Sequence, residues 1–411
     1  MRSYHFRSAT LLLGFLIAAC SDPAPTAPPI SALRSNTTIA GPIGPLAWHA
    51  IVGGTTLSGA RYAMYQPDDW NGDVVYFAHG YVAPGLPVEL PTEDAAPIRE
   101  ALGARKFAVA YSSYSENGYA FADGLQQTHD LQGIFAARFG QPQRSFLIGQ
   151  SMGSQIVQGL VERYPQDYNG ALALCGLLGG TRMATDYIAH IRTLFDFFYP
   201  GVLPGTTITM PPITDPNTQI VTPAFIAIST DPNGFGAIAS LDQGVVAGRN
   251  ATEMVTTMLN VLAFHATGLN DILGRAQVSS IFDNSATTYA SDVLPPSLLE
   301  ALNAGVSRFM ASPTAASWLA HNYEPSGDLT IPMITVHKRF DRLVPFAHEA
   351  AYKRLVDAAG RQAMLRQRTS ESYGHCDLDL NTEVMSNFDE LVTWVNSLSP
   401  ARVGLVAAGI H

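Results

Sequence analysis

The sequence predicts an α/β fold: a mostly parallel sheet with helices on both faces, interrupted by a large, mainly helical insertion. Two observations predict it. Short apolar runs alternate with helical stretches along the chain, and about 155 residues separate two consecutive strands. The apolar runs predict strands at residues 72–78, 107–111, 145–148, 170–174, 333–337 and 363–368. The intervening patterns predict core helices at residues 95–104, 124–138, 155–163 and 347–359.

A serine lies in the turn between the predicted strand 145–148 and the helix that follows, in the pentapeptide Gly-Gln-Ser-Met-Gly at 149–153. Glycines two residues before and two residues after Ser151 let the strand and helix pass closely, and the sharp turn exposes the hydroxyl. The free N–H groups of the helix N-terminus would face the place where an oxyanion forms. This context predicts that Ser151 is a nucleophile.

An acid and a histidine follow in the C-terminal third of the chain. Asp341 lies in the loop 338–345 after a predicted strand, and His375 lies in the turn 371–376 after the next one. The chain order Ser151, Asp341, His375 differs from the orders of the chymotrypsin and subtilisin folds. Three other acids compete for the acid role: Asp328, Asp377 and Asp379. Among the other histidines, His79 is expected to shape a turn and His337 to pack in the core.

These motifs resemble the α/β-hydrolase superfamily over roughly residues 45–398. Asp-Arg-Leu-Val-Pro at 341–345 is similar to its acid loop, Gly-His at 374–375 to its histidine loop, and Ala-His-Gly-Tyr at 78–81 to its oxyanion loop. The resemblance implies Ser151 as nucleophile, His375 as general base and Asp341 as the acid that orients the base. It also implies that the backbone N–H groups of Tyr81 and Met152 form the oxyanion hole.

Two cysteines are expected near the active-site edge of the sheet. The pair His375-Cys376 is similar to that of tannase- and feruloyl-esterase-like enzymes, which bond this cysteine to one beside the nucleophile. Here Gln150 precedes Ser151, so half of that arrangement is missing and the substrate of the narrower family is not implied. Cys175 ends the predicted strand 170–174. A disulfide between Cys175 and Cys376 and two separate buried thiols both remain open.

The first residues are typical of a bacterial lipoprotein signal peptide over residues 1–19. A basic start precedes an uncharged apolar run, 9–19, that is too short to span a bilayer. Small residues before Cys20 predict lipidation of that cysteine; an ordinary signal peptide with a chance cysteine is the alternative. Residues 20–45 are rich in proline and predict an extended tether. We therefore expect a lipid-anchored protein of the bacterial cell envelope, periplasmic or outer-surface.

Composition agrees with an exported globular enzyme. Of the 411 residues, 47% are hydrophobic and 14% charged, enough to bury a large core. Loss of Arg2 and Arg7 with the signal would leave 22 basic and 34 acidic residues, which argues against nucleic acid as a partner. The sequence contains no phosphate-binding loop and no His/Cys cluster with metal-ligand spacing, so neither cofactor nor metal is expected. It makes no prediction of oligomeric state.

The domain organisation follows from the long interruption of the core pattern. Residues 46–180 and 330–398 are predicted to form the hydrolase core, and 181–329 a cap with helices at 181–198, 251–266 and 296–309 and a loop at 204–232. Four aromatic residues near the end of the first cap helix either line the pocket or pack the cap onto the core: Phe195, Phe197, Phe198 and Tyr199.

Taken together, the motifs predict a serine esterase that cleaves small acyl or aromatic esters through an acyl-enzyme. A peptidase or amidase of the prolyl-peptidase type is one alternative, because the same three residues cleave amides. The other is a surface binding protein that keeps the fold without catalysis.

Overall fold

The computed structural model describes residues 48–398, and its centre is one eight-stranded sheet. The strands are β1 (Trp48–Thr55), β2 (Arg61–Pro67), β3 (Asp73–Ala78), β4 (Ala108–Ser112), β5 (Arg144–Gln150), β6 (Gly170–Leu174), β7 (Met333–Phe340) and β8 (Leu365–Tyr373). Their order is β1-β2-β4-β3-β5-β6-β7-β8, and β2 is antiparallel to the other seven strands. This is the α/β-hydrolase topology that the sequence predicts.

The helices of the described chain are α1 (Thr92–Gly103), α2 (Phe121–Phe139), α3 (Met152–Arg163), α4 (Thr181–Phe198), α5 (Thr222–Thr230), α6 (Pro232–Ala239), α7 (Ala251–Ala276), α8 (Pro296–Gly305), α9 (Ala315–His321), α10 (Ala347–Ala358) and α11 (Ser386–Ser397). Helices α2, α3 and α10 cover one face of the sheet, whereas α1 and α11 cover the other. The central strands β3, β4 and β6 are buried along their whole length, which explains why they read as continuous apolar runs.

The segment between β6 and β7 carries α4 to α9 and has a hydrophobic cluster of its own, built mainly from α4 and α7. The predicted α4 matches its observed bounds, but α7 continues ten residues past the expected end and α8 stops at Gly305. The predicted loop 204–232 is wrong in part. This segment contains a π-helical turn, Asn217–Val221, and α5. Pro223 does not prevent α5 from forming, because it lies in the first turn of the helix, where proline is tolerated.

Besides α5, α6 and α9 of the insertion, three elements of the core were not anticipated from the sequence. Strand β1 alternates half-buried and exposed residues and contains two glycines, so it lacks an apolar run. Strand β2 lies between β1 and β4 and pairs antiparallel with both. Helix α11 is the last element of the described chain. Strand β8 ends at Tyr373, five residues past its predicted end at 368 and inside the predicted turn 371–376, because β7 continues to Phe340 and pairs with Tyr373 there.

Within residues 48–398, no helix combines the length and the apolar character needed to cross a membrane. The predicted signal peptide, Cys20 and the proline-rich tether lie outside the described residues.

Candidate active site

Ser151 occupies a sharp turn between β5 and α3. Its backbone has φ 55° and ψ −121°, a region in which residues other than glycine are strained. The turn requires its flanking glycines: a Cβ at Gly149 would meet the backbone of Gly153, and a Cβ at Gly153 would meet the backbone carbonyl of Ala78. The Ser151 N–H donates to the Leu174 carbonyl at 2.9 Å, which joins the turn to β6.

The structure brings the three residues expected from the sequence together. The Ser151 hydroxyl lies 2.9 Å from His375 Nε2. On the other side of the ring, His375 Nδ1 lies 3.0 and 2.9 Å from the two carboxylate oxygens of Asp341. All three side chains are buried. A neutral imidazole in this arrangement donates from Nδ1 to the carboxylate and accepts the serine proton at Nε2.

Asp341 is held by its own loop as well as by the histidine. Its Oδ1 accepts the N–H groups of Leu343 at 2.8 Å and Val344 at 2.9 Å. Burial alone would raise the pKa of Asp341, but the charge and hydrogen bond of His375, together with His337 and the Val344 N–H, hold that pKa below its ordinary value. Asp341 is therefore ionised at neutral pH.

The competing acids are engaged elsewhere. Asp377 forms an ion pair with Lys338 at 2.9 Å, and Asp328 pairs with Arg361 at 2.7 Å. Asp379 accepts backbone N–H groups at the start of a short π-helix, Leu380–Met385. None of these side chains is hydrogen-bonded to His375 within the described chain.

His337 lies beneath the site in β7 and is fully buried, as expected of a core residue. Its Nε2 donates to the Val344 carbonyl at 3.0 Å and lies 3.6 Å from Asp341. Burial would lower the pKa of His337, but the carboxylates of Glu349 and Asp341 raise it above its ordinary value. His337 thus contacts the acid loop from beneath, a role that its sequence context did not indicate.

The loop after β3 faces the same site. His79 stacks on Tyr114 with ring centroids 3.9 Å apart, and its Nδ1 donates to the Gly80 carbonyl at 2.8 Å. Burial lowers the pKa of His79 to about 4, so the ring is neutral and shapes the turn. Tyr81 and Met152 line the cavity that contains Ser151. Their assignment as oxyanion donors stays a prediction.

Cys175 and Cys376 form a disulfide across 201 residues of sequence, with their Cα atoms 5.3 Å apart. Of the two options left open by the sequence, the bridge is the one found. It links the end of β6, beside the serine turn, to the residue after His375. These two sulfurs and the His375 ring lie close enough together to suggest metal ligands. However, the sulfurs are bonded to each other, so neither offers the thiolate that binds a metal.

The cavity at Ser151 is narrow, about 50 Å³, and lies between the serine turn, the acid loop and helices α4, α7 and α10. Sequence reasoning missed several of its wall residues: Tyr119, Tyr187, Phe264 and His348. Of the two roles left open for the aromatic residues at the end of α4, packing is the one found. Phe195 and Tyr199 are buried in the cluster of the insertion, and Phe198 packs against that cluster. Phe197 packs there too, and none of these four residues lines the Ser151 cavity.

Neither a protein-family model nor a curated protein matches this sequence. Among solved structures, feruloyl esterase B from Aspergillus oryzae is similar at 13% identity and a TM-score of 0.48, covering 84% of this chain and 79% of that one. A Pyrococcus furiosus esterase is similar at 9% identity and TM-score 0.42, covering 88% and 98%. A serine hydrolase from Cycloclasticus zankles is similar at 13% identity and TM-score 0.42, covering 85% and 99%.

Proposed function

We propose that this protein is a serine hydrolase that cleaves carboxylic esters through an acyl-enzyme intermediate. One observation carries the proposal: a continuous hydrogen-bonded chain joins Ser151, His375 and Asp341 at the serine turn. A serine hydroxyl is a weak nucleophile on its own and needs an adjacent, oriented base. This chain supplies both the base and its orienting acid.

The reaction begins when Ser151 Oγ attacks the ester carbonyl carbon and its proton passes to His375 Nε2. The carbonyl oxygen becomes an oxyanion, for which the N–H groups of Tyr81 and Met152 are the proposed donors. Collapse of this intermediate breaks the bond to the alcohol, which takes the proton from His375 and leaves an acyl group on Ser151. Water then attacks the acyl-enzyme by the same route, releasing the acid and restoring the serine.

Two features of the site favour this chemistry. The ionised Asp341 keeps the imidazole in the tautomer that accepts at Nε2, and it stabilises the imidazolium that forms in each step. The second feature is the N-terminus of α3 directly after Ser151, whose N–H groups and dipole favour negative charge. One oxyanion donor typically contributes about 3 kcal/mol to transition-state stabilisation.

The cavity favours small acyl groups. Its volume of about 50 Å³ holds only a few water molecules, so a long acyl chain would require movement of its walls. Its wall is largely apolar, which favours uncharged esters. We therefore propose short-chain acyl or small aromatic esters as substrates, rather than long-chain triglycerides or peptides.

Hydrolysis of p-nitrophenyl acetate and butyrate tests the proposal. The wild-type protein is expected to hydrolyse both, and Ser151→Ala to lose the activity. Ser372→Ala is the matched control, because Ser372 is three residues before His375 in the sequence but bonds to Ser370 rather than to the triad. A panel of acyl-chain lengths, aromatic esters and aminoacyl amides then ranks substrates. Highest kcat/KM on an aminoacyl amide would identify a peptidase instead.

A further inference from the structure

His348 is a second histidine at the Ser151 cavity and belongs to neither the triad nor the oxyanion loop. It lies in the first turn of α10, lines the cavity and is fully buried. Its Nδ1 accepts the backbone N–H of Gly179 at 3.0 Å. A neutral imidazole that accepts at Nδ1 carries its hydrogen on Nε2. The Gly179 contact therefore fixes His348 as a donor at Nε2.

This donor has no partner of its own in the described part of the chain. Nε2 of His348 is buried, and no hydrogen-bond partner for it lies within residues 48–398. A buried donor without an acceptor is costly, and such groups in native proteins usually have a specific explanation. Burial also lowers the pKa of His348 to about 3, so the ring stays neutral at any working pH.

Two other polar side chains of the cavity wall, Thr185 and Tyr119, are bonded within the protein. The Thr185 hydroxyl donates to the Thr181 carbonyl at 3.0 Å, and the Tyr119 hydroxyl bonds Gln155 and Thr181. The Tyr81 hydroxyl also lacks a partner in the described chain, but a phenol rotates and either donates or accepts. His348 differs because its hydrogen is fixed in place and it cannot accept.

The position of His348 suggests where a substrate meets it. Tyr187 and Pro345 line both the Ser151 cavity and a much larger groove of about 840 Å³ between the insertion and α10. His348 is three residues beyond Pro345 in the sequence. Gly179, whose N–H donates to the His348 ring, also lines the groove. A substrate that extends from Ser151 towards the groove would pass this donor.

We propose that the Nε2–H of His348 determines specificity by binding an uncharged oxygen of the substrate, such as an ether, hydroxyl or carbonyl, a few bonds from the scissile ester. Preferred substrates are then oxygenated esters rather than plain alkyl esters of equal length. An uncharged acceptor is favoured because a buried carboxylate would need a positive partner, and this ring is neutral. The inference rests on the proposed function of Ser151.

Isosteric ester pairs test it. The two p-nitrophenyl esters of a pair differ by one CH2→O replacement in the acyl chain, for example pentanoate against 3-methoxypropanoate. The position of the oxygen is varied along the acyl chain. In a second series, of activated acetates, it is varied along the alcohol. For each pair, the ratio of the two kcat/KM values is divided by the ratio of the two rate constants for hydroxide-catalysed hydrolysis, which corrects for the difference in intrinsic reactivity. Wild type is expected to prefer oxygen at one position by roughly 10- to 100-fold, the range expected for satisfying a buried donor.

His348→Leu is expected to reduce that preference to near unity, and His348→Gln, which keeps an N–H donor, to restore part of it. The ratio does not change when less protein folds, so it separates specificity from stability. His265→Leu is the matched control and should keep the wild-type ratio. His265 is also a buried histidine with one ring nitrogen bonded, to the Thr207 carbonyl, but it lies outside the Ser151 cavity.

Two outcomes would overturn this inference and leave the proposed function standing. In the first, the wild-type protein cleaves alkyl esters through Ser151 but shows no preference for oxygen at any position. In the second, His348→Leu keeps the wild-type preference. If no ester is cleaved and Ser151 is never acylated, the proposed function fails together with the inference.

Discussion

The carboxylate of Asp341 accepts hydrogen bonds from two backbone N–H groups and from the His375 ring. Asp341→Asn keeps the size of the side chain but directs an amide N–H₂ towards the ring, which favours the wrong imidazole tautomer. We expect kcat to fall by about 10⁴-fold while the protein remains folded. Ester hydrolysis and thermal unfolding, measured on the same preparation, check both parts.

Asp377→Asn is the control for this variant, because Asp377 is close in sequence to His375 but pairs with Lys338. It is expected to keep activity within several-fold of wild type. Near-normal activity of Asp341→Asn combined with an inactive Asp377→Asn would show that the acid has been assigned to the wrong residue.

At the level of elements, the crossing of β5 and α3 depends on Gly153. Gly153→Ala places a methyl group against the Ala78 carbonyl, so the helix must move and Ser151 must leave its position relative to His375. We expect loss of ester hydrolysis by several orders of magnitude, with lowered stability. Gly133→Ala in α2 is the matched control: its Cβ meets no atom within 4 Å, and alanine favours a helix. Equal activity of the two variants would contradict the role given to the serine turn.

The Cys175–Cys376 disulfide connects the strand end beside the serine turn to the loop that carries His375. For a loop of 201 residues, the chain-entropy model gives a stabilisation of roughly 5 kcal/mol. The Cys175→Ser/Cys376→Ser double variant is therefore expected to unfold at markedly lower urea concentration and to lose activity as its histidine loop becomes less ordered.

Reductant supplies the control for the disulfide. It should lower the urea midpoint of the wild-type protein and leave that of the double variant unchanged. A wild-type midpoint that does not respond to reductant during unfolding would contradict the bridge.

For the whole molecule, the disulfide favours an oxidising compartment, which agrees with the export signal expected at residues 1–19. We predict that Cys20 carries lipid in the cell envelope and that Cys20→Ala releases the mature protein from the membrane fraction. Membrane fractionation and mass spectrometry of the N-terminal peptide check this. A wild-type mature protein that begins at another residue and carries no lipid would contradict it.

The sequence was informative where local chemistry decides the structure. The buried parallel strands read as continuous apolar runs, and the serine turn requires glycines at fixed positions, so β6 and the Ser151 turn were predictable. The edge strand β1 was not, because its half-exposed residues show no apolar run. His348 could not be assigned a role either. Its donor state depends on Gly179, 169 residues away, and such an approach exists only in the folded chain.

The central claim is that Ser151 becomes acylated, with His375 and Asp341 activating it. The most direct measurement is mass spectrometry of protein mixed with p-nitrophenyl butyrate and quenched in acid during turnover, followed by peptide mapping. We predict a butyryl adduct on the peptide containing Ser151 in the wild-type protein and no adduct in Ser151→Ala. Hydrolysis without any adduct on Ser151, or an adduct that persists on another residue in Ser151→Ala, would contradict the account.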